Sequence, residues 1–283
     1  MSAPILPPDI AETVRRALAE DMGNGDLTAA LIPENQTARA QVVTREDAVL
    51  CGSAWFDEVF RQLDTRVRIT WKTPDGETIR AGQTLCQIEG PARAILTGER
   101  TALNFLQTLS GVATRTRSYV DAIRGTHAVI LDTRKTVPGL RLAQKYAVRC
   151  GGGRNHRLGL YDGILIKENH IAAAGSVTAA LKAAMAVAAP GLLVEVEVEN
   201  LQQLQEALAV GASRILLDNF DLEGLRAAVM VTRKRAQLEV SGGVTLTNVR
   251  AIAETGVDFI SAGDLTKNLT AVDLSLRFEK TLR

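Results

Sequence analysis

The sequence is poor in the residue types that mark several protein classes. It has three cysteines, three histidines and only 4% aromatic residues among 283 residues. The cysteines are far apart and form no Cys-x-x-Cys pair, so neither a structural zinc site nor a disulfide framework is expected. This usage favours a reducing compartment, in which the three thiols are expected to be buried and unmodified.

The sequence also lacks a strong net charge and a long apolar run. Lys and Arg number 33 against 32 Asp and Glu, a net charge of +1, which gives little electrostatic support for binding to nucleic acid or a membrane surface. The apolar runs fall well short of the roughly 18 residues of a membrane span, and no signal-peptide pattern opens the sequence. Hydrophobic residues at 46% and charged residues at 23% are typical of a folded domain. The composition therefore predicts a soluble cytoplasmic protein.

Two regions with different patterns follow one another along the chain. Up to about Gly111 the sequence predicts helices at 10–20 and 95–109 and strands at 38–44, 67–72 and 77–88. After it, strands alternate with helices, which is typical of stacked βα units with parallel strands. The six expected strands are 128–131, 163–166, 192–198, 214–217, 238–240 and 257–260. We expect an N-terminal α/β domain at 1–111, a catalytic domain at 112–272, and a C-terminal helix at 273–283 that returns to the first domain.

Polar or small residues stand at the carboxyl end of every expected strand. In chain order they are Asp132, Thr133, Arg134 and Lys135; Lys167 and Glu168; Glu195, Glu197 and Glu199; Asp218 and Asn219; Ser241, Gly242 and Gly243; and Ser261, Ala262 and Gly263. Active sites of βα barrels are assembled at this end of the strands. One polar residue in such a place is usually part of a solvated loop, but a solvated loop is a weak explanation for six strands in succession. The two glycine-containing turns suit a phosphate, because small residues let backbone N–H groups approach an anion.

Three glutamates share one face of the third strand. Glu195, Glu197 and Glu199 alternate with valines, so they are expected to point away from the apolar layer. Buried carboxylates need a cation, and Lys135, Lys167 or Mg²⁺ are the candidate partners. A polar edge strand is the alternative.

The segment 133–170 carries most of the local positive charge. It has ten Lys, Arg and His residues and two acidic ones, and it contains Gly151, Gly152 and Gly153. Such an excess in a nearly neutral protein favours a pocket for a small polyanion, with arginine forks suited to carboxylates and phosphates. Nucleic acid is the competing ligand, but only two tyrosines interleave the basic residues.

These segments resemble the quinolinate phosphoribosyltransferase family. The similarity is carried by Asp-Thr-Arg-Lys-Thr-Val-Pro-Gly-Leu-Arg at 132–141, Gly-Gly-Gly-Arg-Asn-His-Arg-Leu-Gly-Leu at 151–160, Leu-Ile-Lys-Glu-Asn-His-Ile at 165–171 and Gly-Glu-Arg-Thr-Ala-Leu-Asn-Phe-Leu-Gln at 98–107. The resemblance implies an open six-stranded α/β barrel beside an N-terminal α/β sandwich domain. It implies a homodimer and the Mg²⁺-dependent conversion of quinolinate and phosphoribosyl pyrophosphate into nicotinate mononucleotide, pyrophosphate and CO₂ in NAD biosynthesis.

The resemblance also implies roles for individual positions. Lys135, Lys167, Glu197 and Asp218 would be catalytic, and Glu197 and Asp218 would lie near the ribose and the metal. Substrates would be bound by Arg100, Thr133, Arg134, Lys135, His156, Arg157, Lys167, Glu197, Asp218 and the two turns formed by Ser241, Gly242 and Gly243 and by Ser261, Ala262 and Gly263. Arg100 would come from the neighbouring subunit. Because the three glutamates share a face, Glu195 or Glu199 remains an alternative ribose contact.

Three other functions remain possible from the sequence. A related phosphoribosyltransferase for another aromatic acid would keep the phosphate turns and alter 133–135 and 156–157. A Schiff-base aldolase using Lys167 is disfavoured, because nearby carboxylates keep the amine charged. A regulator that only binds a sugar phosphate would not need the acidic pair.

Overall fold

The computed structural model describes residues 4–279, which form two compact units. The first unit consists of residues up to 117, residues 137–152 and residues from 268 onward, and the second consists of 118–136 and 153–267. The strands are β1 (Thr37–Thr44), β2 (Ala48–Val49), β3 (Arg68–Trp71), β4 (Thr78–Ile79), β5 (Thr84–Pro91), β6 (Val129–Leu131), β7 (Ile164–Ile166), β8 (Val194–Val198), β9 (Arg214–Asp218), β10 (Gln237–Ser241), β11 (Phe259–Ser261) and β12 (Leu274–Phe278).

The helices differ widely in length. They are α1 (Ile10–Met22), α2 (Ser53–Leu63), α3 (Ala92–Ala122), α4 (Arg141–Cys150), α5 (Glu168–Ala174), α6 (Val177–Val187), α7 (Leu201–Val210), α8 (Leu222–Thr232), α9 (Val249–Ala253) and α10 (Asp264–Lys267). The predicted domain boundary after residue 111 lies inside α3. Among the helices of residues 4–279, no single one is long and apolar enough to cross a membrane, although the bent pair α5 and α6 passes that test jointly by length and composition.

The first unit contains a four-stranded antiparallel sheet in the order β12, β1, β5, β3. The few aromatic residues are concentrated near it: Trp55, Phe56 and Phe60 lie on one face of α2 and are at most 1% exposed. The Phe56 ring meets the ring of Trp71 on β3 edge-on, with 5.4 Å between centroids. Burial of these large rings supplies much of the apolar core of this unit.

The C-terminal segment is a strand rather than the predicted helix. Leu274, Leu276 and Phe278 alternate with polar residues, which is strand periodicity, and β12 pairs antiparallel with β1 at the sheet edge. Helical geometry would have left this edge of β1 unpaired and would have scattered the three apolar side chains around the helix. The segment does return to the first unit, as predicted, and residues 280–283 lie outside the described residues.

The second unit contains a six-stranded sheet in the order β6, β11, β10, β9, β8, β7, and every neighbouring pair is parallel. The six predicted strands are therefore confirmed, each within a few residues. One face of the central strands is apolar and buried, as shown by Val196, Val198, Ile215, Leu217 and Val240, all at most 2% exposed. Because all six strands run the same way, their carboxyl ends lie along one edge.

The three cysteines are buried, as expected from the sequence. Burial, with the nearby Asp57 carboxylate, raises the pKa of Cys86 to about 12. This thiol is therefore protonated and unreactive at neutral pH.

Candidate active site

The carboxyl edge of the six-stranded sheet collects the polar residues predicted from the sequence. Residues 132–135 follow β6, Lys167 follows β7, Glu197 lies near the end of β8, Asp218 ends β9, Ser241 ends β10 and Ser261 ends β11. All of these residues belong to the second unit. The strand order makes them a continuous strip of cationic, acidic and small residues.

At one end of the strip a lysine and a glutamate form an ion pair. Nζ of Lys167 donates to Oε2 of Glu197 at 2.8 Å, and the glutamate is only 9% exposed whereas the lysine is exposed. Val196 and Val198 on either side of Glu197 face the apolar layer, so the pleat of β8 points Glu197 to the polar side. The lysine holds the carboxylate in place and keeps part of its own ammonium group open to solvent.

The three glutamates of β8 lie at different depths along the same face. Glu195 is fully buried and accepts hydrogen bonds from His156 and Arg214, whereas Glu199 is exposed beyond the end of the strand. Successive residues on one face of a strand are about 6.6 Å apart, which is enough to separate an interior position from a site position. Depth therefore favours Glu197 among the three as the residue that faces a ligand.

Asp218 lies beside the first glycine-containing turn. It pairs in register with Ser241, and Asn219, at a φ of 56°, donates from its side-chain amide to Oδ2 of Asp218 at 2.8 Å. Gly242 has a φ of 88°, and a Cβ there would lie under 3.0 Å from Oδ1 of Asn219 and 3.1 Å from Oδ1 of Asp218. Only glycine fits this turn without displacing the two side chains.

The second turn packs against the segment that follows β6. A Cβ on Gly263 would lie 2.9 Å from Cδ of Lys135, and the hydroxyl of Thr266 donates to the carbonyl of Lys135 at 2.7 Å. The hydroxyl of Ser261 donates to the carbonyl of Val240 at 3.4 Å, so it is engaged inside the sheet. What this turn presents to a ligand is its backbone together with the exposed Lys135 side chain.

Two arginines bring positive charge to the same edge. Arg134 is exposed, and Arg157 is half-buried with its guanidinium donating to the carbonyl of Gly163 at 3.0 Å. Burial lowers the pKa of Arg157, and the neighbouring Arg134 charge lowers it further. Two like charges that lie close enough for one to lower the pKa of the other form a site that favours an anion.

Comparisons with known proteins identify the family of the chain. Sequence models described as the N-terminal and C-terminal domains of quinolinate phosphoribosyl transferase match residues 26–110 and 112–277. The chain belongs to the quinolinate phosphoribosyl transferase family. A nicotinate-nucleotide pyrophosphorylase (carboxylating) from Mycobacterium leprae is 47% identical over 94% of this chain and 95% of its own length. A probable nicotinate-nucleotide pyrophosphorylase (carboxylating) from Bacillus subtilis is 44% identical over 91% of this chain and 89% of its own.

A solved structure shares the fold over nearly the whole chain. The nicotinate-nucleotide pyrophosphorylase from Francisella tularensis superimposes with a TM-score of 0.94 at 47% identity and covers 99% of both chains. The family resemblance seen in the sequence motifs is therefore confirmed. So is the α/β fold with a parallel six-stranded sheet.

In this member of the quinolinate phosphoribosyl transferase family, two predicted binding residues do not belong to the exposed edge of the second unit. Arg100 is exposed on α3 in the first unit. His156 is in the second unit, but its side chain is only 8% exposed and its Nε2 lies 2.9 Å from Oε2 of Glu195. Burial alone lowers the pKa of His156, whereas the Glu195 hydrogen bond and the nearby Glu239 raise it, and the net pKa lies above the ordinary value.

Arg214 and Glu239 were not singled out from the sequence, whereas Asp132 was, and the structure shows how all three are held. Asp132 is fully buried and accepts from the side chain of Asn155 and the backbone N–H of His156, which fixes the loop after β6. Arg214 and Glu239 pair below the strip, with Nη2 of Arg214 at 2.5 Å from Oε2 of Glu239. The sequence signal for Arg214 and Glu239 was a charged residue beside the apolar residues of β9 and β10.

Proposed function

We propose that this site transfers the phosphoribosyl group of phosphoribosyl pyrophosphate to quinolinate and that decarboxylation then yields nicotinate mononucleotide, pyrophosphate and CO₂. The observation that carries the proposal is the juxtaposition, along one sheet edge, of the Lys167–Glu197 ion pair, the Arg134 and Arg157 cations and the glycine-containing turns. This edge offers cations for a dicarboxylate, backbone for phosphates and carboxylates for a ribose. The activity places the enzyme in NAD biosynthesis.

Quinolinate carries two adjacent carboxylates, and the cationic residues bind them. Arg134, Arg157 and Lys167 of one subunit, with Thr133 and His156 nearby, form the pocket for the dicarboxylate. Lys135 and the two turns, Ser241, Gly242, Gly243 and Ser261, Ala262, Gly263, hold the phosphates of the second substrate. Charge complementarity thus assigns the two substrates to different parts of the strip.

In the transfer step, the ribose C1–oxygen bond to pyrophosphate breaks and the bond from C1 to the pyridine nitrogen forms. The C1 centre becomes positively charged and oxocarbenium-like on the way, and the Glu197 and Asp218 carboxylates stabilise that charge and accept hydrogen bonds from ribose hydroxyls. The ion pair with Lys167 keeps Glu197 oriented. No covalent bond to the enzyme is needed.

The donor set also fits Mg²⁺. Glu197 and Asp218 offer hard carboxylate oxygens at the ends of two adjacent strands, β8 and β9, which suits an ion usually held by one or two carboxylates together with substrate phosphates. When bound, Mg²⁺ would neutralise the charge of the pyrophosphate leaving group.

Decarboxylation follows from the charge on the glycosylated nitrogen. The bond between C2 of the pyridine ring and its carboxylate breaks, the electron pair stays on C2 beside the positive nitrogen, and C2 then takes up one proton. The arginines contribute by holding the ring in place, because this step needs positioning more than an acid or base.

Assembly and location complete the proposal. The six-stranded sheet is an open α/β barrel, and the N-terminal domain is of the α/β sandwich type. Two chains form a homodimer in which Arg100 of one subunit reaches the quinolinate pocket of the other. The enzyme acts in the cytoplasm.

The direct test uses the purified chain with quinolinate, phosphoribosyl pyrophosphate and Mg²⁺, and measures nicotinate mononucleotide and pyrophosphate in equal amounts. Omission of quinolinate is the matched control. Borohydride treatment in the presence of a carbonyl substrate tests the aldolase alternative, because a Schiff base on Lys167 would be trapped as a stable adduct. Absence of the mononucleotide from a folded protein would contradict the proposed function.

A further inference from the structure

Below the strip, four charged or titratable side chains form a buried network that spans three neighbouring strands and the loop before β7. It consists of His156, Glu195 on β8, Arg214 on β9 and Glu239 on β10. Both glutamates are fully buried, and the side chains of the other two are at most 12% exposed. Burying so many polar groups is costly unless they fix something in place.

Both ring nitrogens of His156 are engaged within the protein. The backbone N–H of Arg157 donates to Nδ1 at 2.7 Å, so Nδ1 carries no proton in this arrangement. Nε2 therefore carries the hydrogen, and it donates to Oε2 of Glu195 at 2.9 Å. A backbone donor on one side and a carboxylate acceptor on the other select one neutral tautomer.

Glu195 is itself held by the next strand. Nε of Arg214 donates to Oε1 of Glu195 at 3.3 Å, and Nη2 of the same guanidinium donates to Glu239. The guanidinium carbon lies 3.8 Å from the ring centroid of Phe259 on β11, so Arg214 is fixed on a further side. Arg214 thus leaves Glu195 one oxygen for His156 and restricts its rotation.

Glu239 completes the charge balance of the network. Among residues 4–279 its Oε1 has no hydrogen-bond partner, and it lies 3.6 Å from Nε2 of His156. Two carboxylates and one guanidinium leave a net charge of −1 when the ring is neutral. Burial raises the pKa of Glu239, and the nearby Glu195 charge raises it further. Burial lowers the pKa of His156, but the hydrogen bond to Glu195 and the Glu239 charge bring it above the ordinary value.

We propose that Glu195 and Arg214 are positioning residues for quinolinate binding, because they hold His156 in the Nε2–H tautomer whose Nδ1 fixes the backbone of Arg157. The inference rests on the proposed function, in which the Arg157 guanidinium binds a carboxylate of quinolinate. In this scheme His156 contributes through Arg157 rather than through a hydrogen bond from its ring to the substrate. The chain Arg214, Glu195, His156, Arg157 links strand β9 to the pocket.

The isosteric variant Glu195→Gln tests the hydrogen-bond chain from Arg214 to Arg157. Arg214 requires an acceptor, so the amide oxygen faces the guanidinium and the amide NH₂ faces Nε2 of His156. The ring must then accept at Nε2 and carry its hydrogen on Nδ1, which sets two donors, Nδ1–H and the Arg157 N–H, against each other. We expect the KM for quinolinate to rise about 10- to 100-fold, because the Arg157 guanidinium is misplaced. The KM for phosphoribosyl pyrophosphate is expected to stay within twofold.

The tautomer has a spectroscopic readout that does not require activity. With only three histidines in the chain, ring ¹⁵N signals can be assigned by His156→Gln. Above the end of its titration, His156 is expected as Nε2–H in the native protein and as Nδ1–H in Glu195→Gln. Glu223→Gln, an exposed position on α8, is the matched control and should leave both KM values and the ring signals unchanged.

Each outcome decides for or against the hydrogen-bond chain from Arg214 to Arg157. A rise in the quinolinate KM alone, with a tautomer change, supports it. An unchanged quinolinate KM, an equal rise in both KM values, or Nδ1–H in the native protein overturns it. If Glu195→Gln does not fold, Arg214→Lys replaces it, because lysine keeps the charge and loses the two-pronged guanidinium donor. The KM values for quinolinate and phosphoribosyl pyrophosphate are compared again, and equal changes in both then refute the proposal. If the native protein makes no mononucleotide, the proposed function fails, while the ring signals still test the hydrogen-bond chain.

Discussion

Replacing Gly242 by alanine tests the role of the turn after β10. Gly242 has a φ of 88°, a conformation that costs an L residue about 1–2 kcal/mol. The added Cβ also lies under 3.0 Å from Oδ1 of Asn219 and 3.1 Å from Oδ1 of Asp218, so at least one of these side chains must move. A displacement on the order of 1 Å at reacting groups costs about 10²-fold in rate.

Gly211 provides the matched control because its φ is also 88°. It lies between α7 and β9, at the amino end of the sheet, and among the described residues no heavy atom lies within 4 Å of an added Cβ. Both variants should lose about 1–2 kcal/mol of stability, which lowers the Tm by about 2–4 °C per kcal/mol. Only Gly242→Ala should also lower kcat/KM for mononucleotide formation by about 100-fold. Equal kcat/KM values for the two variants would refute the assignment of Asp218 and this turn to the site.

Three further predictions concern the cationic pocket. Lys167→Ala and Arg157→Ala should each fold and lose about 30- to 1,000-fold in kcat/KM, because each removes a charged hydrogen bond worth about 2–4 kcal/mol. Near-normal turnover of either folded variant would contradict the assignment of that residue to the pocket. When inactive Arg100→Ala and Lys167→Ala proteins exchange subunits, activity should reappear, because one composite site per mixed dimer carries neither change. Continued inactivity despite measured subunit exchange argues against a shared site. Nicotinate should be used about 10⁴-fold less efficiently than quinolinate in kcat/KM, because a single carboxylate leaves cations of the pocket unpaired. A ratio within tenfold would favour an enzyme for another aromatic acid.

The periodicity of the sequence determined the parallel sheet and the polar residues at its carboxyl edge. Short apolar runs alternating with helices identify buried parallel strands, since both faces of such strands are covered. The residue after each run then marks the carboxyl edge of the sheet, and Lys167 and Asp218 do lie at that edge. Alternation along β8 likewise showed that its glutamates share a face.

Only the tertiary structure decided how deep each of those residues lies and what it meets. Glu195 and Glu197 have the same neighbours in sequence, but pairing with β9 places Glu195 opposite Arg214, whereas Glu197 reaches Lys167. Arg214 and Glu239 meet across strands 25 positions apart, and β12 became a strand because the edge of β1 was there to pair with. A local pattern sets the face and the period of an element, while depth and partners depend on contacts between residues far apart in the chain.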